Sequence, residues 1–396
     1  MLEHGFRRLL PENEALVRLL AGIRPVAGVE RLPLSEADGR VLAEAAEAAR
    51  DVPHYDRSAM DGYAVRSPET AGASLSGPVV LEVGSAIAAR SAVPVHTGSA
   101  LPPGCDAVVP LEDAERDGGR VGVLRRVRAG ENVGRRGEDV RAGDVVAPAG
   151  HVLRPQDLGL LRAVGLERVA VRRLPRVRVL VTGEELVAPG ELPDPGRMVD
   201  ANGVMLARCV ARWGGEPEPR ALYSDAPHLI AGEITAAAAA CDLLVTSGGT
   251  SVGERDQVVE ALAAAGEVWF HGVAIQPARP VAAGAVEGLP VLCLPGFPAA
   301  AFVAAFAFLR PALARLASRP PTAAAPLRGT LTRKIVSPVG LRSYTRVRVE
   351  DGRVEPLRTA GAGILSSLVR AQGFVVTPEA SEGIPEGAEV DVVPFA

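Results

Sequence analysis

The sequence predicts a multidomain α/β plus β protein. A doubly wound parallel-sheet domain is expected at its centre, with a helical/β region before it and a small β barrel at the C-terminus. Three observations predict this. Short apolar strands alternate with helices of about ten residues or more over 176–315, the rhythm of a parallel sheet with right-handed crossovers and helices on both faces. Brief β-rich pieces punctuated by Gly and Pro occupy 52–144. A stretch holding Pro320, Pro321 and Pro326 sets apart a strand-rich tail, 327–396, because proline fixes φ and cannot continue a helix. The 396 residues, at about 150 per domain, predict two to three domains.

Taken in order, 12–24 carries Leu16, Leu19, Leu20 and Ile23 at helical spacing. A second helical stretch is expected from Ser35 through Val41 and Leu42, with Glu36 in its first turn. Strands are expected at 79–83, 107–110 and 121–127, then at 145–146 and 169–171 around a helix at 156–164, with Pro175 closing the segment. The alternating region predicts strands at 177–181, 220–223, 242–246, 267–270 and 291–294. Its helices are expected at 203–213, 228–240, 256–265 and 298–315. Leu243, Leu244, Val245 and Thr246 run continuously instead of alternating, as a strand buried on both faces requires. In the tail, Glu350, Asp351 and Gly352 mark a hairpin tip. The domain boundaries that follow are 1–52 with 145–175 as an N-terminal linker domain, 53–144 as an inserted β domain, 176–320 as the α/β domain, and 321–396 as the barrel.

Composition excludes several classes. The net charge of −4 and pI of about 6.0 leave no global basic field for nucleic acid or an anionic membrane surface. Lys334 is the only lysine, which reads as compositional bias toward arginine. Cys105, Cys209, Cys241 and Cys293 lie far apart without a CxxC pair, so neither a zinc ribbon nor a disulfide framework is suggested and a reducing cytoplasm is expected. Residues 1–10 mix charge with apolar side chains and lack a secretory signal core. The longest apolar run, 296–309, falls short of the roughly 20 residues that span a bilayer, so no membrane association is expected.

In an open α/β sheet, ligands bind beyond the carboxyl ends of the strands. Four loops qualify: Thr182-Gly183-Glu184-Glu185, Ser224-Asp225, Ser247-Gly248-Gly249-Thr250-Ser251-Val252-Gly253-Glu254-Arg255-Asp256, and Pro295-Gly296-Phe297-Pro298. The Gly248-Gly249 loop either aims backbone N–H groups at phosphate beside a helix N-terminus, or is a tight strand-to-helix turn with Ser251 or Asp256 as N-cap. It matches neither a Walker A loop nor GxGxxG. Glu184, Glu185, Asp225 and Asp256 offer oxygen ligands for a hard cation such as Mg²⁺; singly, each reads more readily as a helix cap or a solvated carboxylate, but their joint occurrence at strand ends favours the cation. In the β region, 53–64 (Pro-His-Tyr-Asp-Arg-Ser-Ala-Met-Asp-Gly-Tyr-Ala) packs acidic, hydroxyl and aromatic groups densely, as functional loops do, although His54 and Met60 also suit simple packing. Thr97-Gly98 reads as a turn, and Arg135-Arg136-Gly137-Glu138-Asp139 as a charged surface loop.

These motifs, with Asp200-Ala201-Asn202-Gly203 and Leu294-Pro295-Gly296-Phe297-Pro298, occur in an order and spacing that resembles the MoeA/gephyrin family of molybdopterin molybdenumtransferases over nearly the whole chain. The resemblance implies a homodimer whose cleft lies between the α/β domain of one subunit and the β domain of its partner. The implied reaction inserts molybdate into adenylylated molybdopterin with release of AMP, assisted by Mg²⁺, as the last step of molybdenum cofactor biosynthesis. A molybdopterin adenylyltransferase and molybdoenzyme acceptors are the implied partners. By position, the resemblance assigns catalysis to Asp61, Asp139, Glu185, Asp225 and Asp256, with Glu185 and Asp256 on the metal. It assigns substrate binding to Thr97, Ser247, Gly248, Gly249, Ser251, Gly253, Arg279, Pro295, Gly296 and Pro298.

The chain departs from the family pattern at three places. A Lys-Pro-Gly-Lys-Pro run is here Gln276-Pro277-Ala278-Arg279-Pro280, and another family lysine falls at or near Gly272; a Pro-Gly-Asn-Pro-Val-Ser run is here Pro295-Gly296-Phe297-Pro298-Ala299-Ala300. Arginine does not replace lysine as a point charge, so the expected oxyanion pocket is partly apolar. A carrier that keeps the pterin and dimer surfaces without insertion is the alternative reading. The carboxylates Asp61, Glu185 and Asp256 favour an enzyme, because a carrier has little need of metal-binding groups.

Overall fold

The computed structural model describes residues 9–249, 257–320, 325–358 and 363–395. Two compact units emerge, one holding the chain up to Gly28 and again from Arg172, the other Val29–Val171.

The first unit is built on a six-stranded sheet: β1 (Arg176–Thr182), β2 (Glu216–Leu222), β3 (Leu243–Ser247), β4 (Glu267–His271), β5 (Ala282–Val286) and β6 (Leu289–Leu294), in the order β2-β1-β3-β6-β5-β4. Strands β2, β1, β3 and β6 run parallel, joined through α2 (Asn202–Arg212), α3 (Pro227–Ala238) and α4, described over Gln257–Ala265. Alternate residues feed opposite faces. Val177, Val179, Leu243, Val245, Leu292 and Leu294 enter one core with α1 (Glu12–Ala21), α2 and the long helix after β6. Leu180, Leu244, Val291 and Cys293 enter the other with α3 and α4. Both faces of the central strands are therefore covered, which is why β3 and β6 are buried along their whole length, whereas the edge strand β2 is polar and largely exposed.

Four expectations need correction. Strand β5 is absent from the sequence reading and runs antiparallel to both neighbours, so the sheet carries a reversed strand. Its Ala-Ala-Gly-Ala-Val sequence lacks the β-branched texture that flags a strand, while the tip, Glu287 and Gly288, takes two positive φ angles as a tight hairpin requires. The helix expected from Ser35 is a single 3-10 turn, Leu34–Glu36. Gly39 then reverses the chain at φ +70°, and Val41 and Leu42 bridge to Val152 and Val171. The strand expected over 121–127 spans Arg120–Val123 only. The last helix, α5 (Pro298–Leu316), is 19 residues, long and apolar enough to cross a membrane by length and composition, yet 67% buried inside the fold, as a core helix is. Its middle, Ala305–Leu309, opens into a π-turn just before Pro311, whose missing N–H and bulky ring cannot follow a regular turn.

Beyond the sheet, Arg342–Glu350 pairs with both Arg353–Arg358 and Gly373–Thr377, and Leu327–Leu331 with Glu389–Pro394 completes a closed five-strand barrel. The hairpin tip at Asp351 and Gly352 takes positive φ at both residues, as expected from its sequence. The scarce aromatics concentrate here: Phe374 lies 5.4 Å from Phe306 and 4.7 Å from Phe395, and Phe302 5.1 Å from Phe395, fastening the barrel to α5.

The second unit holds a six-stranded sheet ordered Ala107–Pro110, Gly62–Val65, Ser91–Val95, Val79–Val83, Arg120–Val123, Ala114–Asp117. Tyr63, Val65, Leu81, Val109 and Val121 fill its core. A smaller core of Leu34, Leu42, Leu153, Leu161 and Val171 forms around the helix Pro155–Ala163.

Candidate functional site

The register of the parallel strands decides where chemistry can sit. Val181 pairs with Ser247, Ser247 with Leu294, and Thr182 with Leu222, so four strands end level with one another. The chain leaves β1 toward β2 on one side and returns to β3 on the other, which makes the β1/β3 edge the topological switch point, where α/β sheets open a crevice. A pocket of about 70 Å³ lies there, lined among others by Thr182, Glu185, Asp200, Asn202, Gly248 and Phe297. A single water needs about 10–15 Å³ of such space, so it admits a phosphate-sized group.

Its walls are held by an internal chain of hydrogen bonds. Asn202, at the start of α2, donates from Nδ2 to Ser247 Oγ at 2.9 Å and to the Gly296 carbonyl at 2.6 Å, and Ser247 Oγ donates to the Pro295 carbonyl at 3.1 Å. One buried amide thus ties the ends of β3 and β6 to the first turn of α2. Asp200 Oδ1 accepts the Gly203 N–H at 2.9 Å and fixes that turn. Thr182 Oγ1 and Asn202 Oδ1 are buried and lack partners among the described residues, the state expected of groups in a wall completed by a ligand or water.

Gly248 has φ +109°, and a Cβ on it would sit 2.3 Å from the Thr182 carbonyl oxygen, so only glycine permits this approach. Its N–H donates to the Leu294 carbonyl at 3.3 Å. Gly249 accepts the Val258 N–H at 3.3 Å. The carboxylate of Glu185 folds against Gly183, where a Cβ would come within 2.8 Å of either oxygen. Glu185 is exposed at the pocket rim, and its carbonyl accepts the Met198 N–H at 2.8 Å. Asp225 is half-buried and accepts the Glu184 N–H at 3.4 Å, bracing the same loop. Ser251, Gly253 and Asp256 lie outside the described residues.

The other site residues expected in this unit fall in two places. Pro295, Gly296 and Pro298 follow β6 at the level strand ends, Gly296 and Pro298 lining the pocket. Arg279 does not line it. It is half-buried beyond Ile275–Gln276, with Nη2 3.5 Å from Gln276 Oε1. Asn202 and Thr182 were not singled out as site residues by sequence; Met198 and Val199 also line the pocket. The available signal was an asparagine, a poor helix former, opening a helix two residues after Asp200.

In the second unit, two motif loops are knitted together. Ser58 N–H donates to the Ser99 carbonyl, Gly98 N–H to the Ser58 carbonyl, and Leu101 N–H to the Asp56 carbonyl, while Tyr55 Oη donates to the Gly98 carbonyl at 2.9 Å. Thr97 donates its N–H to Asp61 Oδ1 at 2.6 Å; this bond, then the Thr97 hydroxyl and nearby His96, holds the Asp61 carboxyl below the usual range, so it is an anion at neutral pH. His54, Met60, Asp61 and Thr97 are all exposed, so His54 and Met60 are not core packing. Asp139 is exposed on a turn whose N–H donates to the Val52 carbonyl. Asp61 and Thr97 are thus brought together within this unit.

No group of three or more His, Cys, Asp or Glu able to hold a metal occurs among the described residues. Mg²⁺ does not require one, since it binds through one or two carboxylates together with waters and substrate phosphates. Glu185, a hard oxygen donor at the rim of a phosphate-sized pocket, fits that donor set.

Three family models match the chain: the MoeA N-terminal region (domain I and II) over 10–165, a probable molybdopterin binding domain over 178–315, and the MoeA C-terminal region (domain IV) over 328–395. Molybdopterin molybdenumtransferase 2 of Mycobacterium tuberculosis is 35% identical over 97% of this chain and 99% of its own. A putative molybdopterin biosynthesis protein of Methanocaldococcus jannaschii is 34% identical, covering 92% of each chain. The crystal structure of the molybdopterin biosynthesis MoeA protein of Pyrococcus horikoshii superposes with a TM-score of 0.85 at 33% identity, covering 98% of this chain and 100% of that one. With all three regions matched and relatives aligned nearly end to end, the chain belongs to the MoeA family.

Proposed function

We propose that the protein is a molybdopterin molybdenumtransferase, acting in molybdenum cofactor biosynthesis by inserting molybdate into adenylylated molybdopterin with release of AMP. The observation that carries this is the phosphate-sized pocket at the switch point, rimmed by Glu185 and walled by the glycine approach at Gly248, in a chain that matches a named transferase over 99% of that enzyme's length. Cleaving a phosphoanhydride requires the phosphate to be held, its charge balanced and water limited. The pocket volume suits one phosphate, the Gly249 amide a phosphate oxygen, and Asn202 keeps both adjacent loops in place. Mg²⁺, held by Glu185 and Asp256, would neutralise charge on the substrate phosphates.

In this reading the working form is a cytoplasmic homodimer. Asp61, Thr97 and Asp139 of one subunit complete the cleft that Glu185, Asp225 and Asp256 open on its partner. The ionised Asp61 suits a role beside a cation. The adenylylated substrate comes from a molybdopterin adenylyltransferase, and the product passes to a molybdoenzyme. The test incubates purified protein with adenylylated molybdopterin, molybdate and Mg²⁺ and follows AMP. Release that depends on both molybdate and Mg²⁺ is the expected result; tight pterin binding without AMP release would make the protein a carrier.

A further inference from the structure

The substrate of the proposed reaction carries two flat nitrogen heterocycles, a pterin and an adenine, joined through phosphates. With a phosphate held in the pocket at the switch point, the rings on either side of it extend along the pocket's rim. Phe297 stands at that rim. It is 63% exposed and the only exposed phenylalanine among the described residues, whereas Phe270, Phe308 and Phe374 are buried and Phe302, Phe306 and Phe395 half-buried. Exposed beside a site, the ring has apolar surface open to a ligand.

The backbone beneath Phe297 is fixed on both sides. Asn202 Nδ2 holds the Gly296 carbonyl at 2.6 Å, the Phe297 carbonyl accepts the Ala301 N–H at 2.8 Å, and Pro298 locks the next φ. Met198 at 52% and Val199 at 40% exposure line the same pocket and extend its apolar rim. The ring is therefore carried on a rigid base at the pocket's rim, with one edge facing Gly363.

Building on the transferase reading, we infer that Phe297 is a stacking platform for a planar nitrogen heterocycle of the substrate, and that this chain uses ring stacking where the family pattern places an asparagine amide. Stacking tolerates either ring, since each has a π-face, and the binding arms of the test separate them.

Four full-length variants test this: Phe297→Ala, Phe297→Asn, Phe297→Leu and Phe297→Tyr. With adenylylated molybdopterin, alanine and asparagine should each raise KM about tenfold, consistent with loss of one stacked ring, while kcat stays within about twofold. Tyrosine should restore KM. Leucine, which keeps apolar bulk without a π-face, should not. Equilibrium binding of AMP alone and of molybdopterin alone identifies the ring, because only the stacked one loses affinity in the alanine variant. A leucine variant that binds like wild type, or an alanine variant that binds both molecules undiminished, would overturn the inference. If wild type releases no AMP while AMP or molybdopterin binding still depends on Phe297, the transferase reading fails and the stacking platform stands.

Discussion

Ala278 holds a conformation that suits glycine. Its φ is +107° and its side chain is buried, in the run where the family pattern has a glycine. An L-residue in that region stores of order 1–3 kcal/mol, against which glycine costs a few tenths to about 1 kcal/mol through its freer unfolded state. Ala278→Gly is therefore expected to stabilise the protein by about 1 kcal/mol, read as a higher urea midpoint at unchanged slope; a lower midpoint would show that the Cβ contacts outweigh the strain. At this scale the sequence was uneven. Asp61 and Thr97 were legible because whole motifs surround them and their contact is local to paired loops. The role of Asn202 was not, because its amide reaches Ser247 and Gly296, 45 and 94 residues away, and only the folded register brings those loops to it.

Among the elements, the opposite end of the sheet from the pocket is held by a clamp. Asp242, just before β3, accepts both terminal nitrogens of Arg173 at 2.7 Å and the Arg176 N–H at 2.7 Å, pinning the start of β1 beside β3. Burial pushes the Asp242 carboxyl up, but the Arg173 guanidinium and the Arg176 amide outweigh it, and the net shift is downward. A depressed carboxyl stabilises the fold above its unfolded value near 4, and that contribution is lost as pH falls through the lower folded value. Asp242→Asn should cost about 2 kcal/mol at neutral pH and flatten the loss of stability below about pH 4, measured by urea melts across pH; an unchanged acid limb would remove Asp242 from that linkage. The alternation of strands and helices was readable because both sheet faces are buried and leave continuous apolar runs. Strand β5 escaped because alanine and glycine satisfy a strand flanked on both sides without advertising it.

For the whole molecule, the proposed subunit arrangement makes a quantitative statement. If Asp61 serves the cleft of the partner, Asp61→Asn and Glu185→Gln chains, each inactive as homodimers, should rescue one another when coexpressed. Random pairing in a two-fold dimer yields half heterodimers, each with one intact cleft, so about a quarter of wild-type AMP release is expected. No rescue, or a monomer by sedimentation, would place Asp61 and Glu185 in service of separate tasks. The barrel and the sheet domain were legible as separate textures, but what joins them was not. The attachment rests on Phe302 and Phe306 of α5 meeting Phe374 and Phe395, and neither the helix nor the tail discloses that partner alone. The same helix sends Leu313 and Leu316 into the core shared with α1. The wide turn at Ala305–Leu309, one residue longer than a regular turn, holds Phe306 and separates Phe302 from Leu313 and Leu316. Each residue advances a helix by about 100°, so that single surplus residue sets the angular phase between barrel and N-terminal helix. Deleting it would leave both sets of contact side chains present and rotate one half of their docking surface away from its mate.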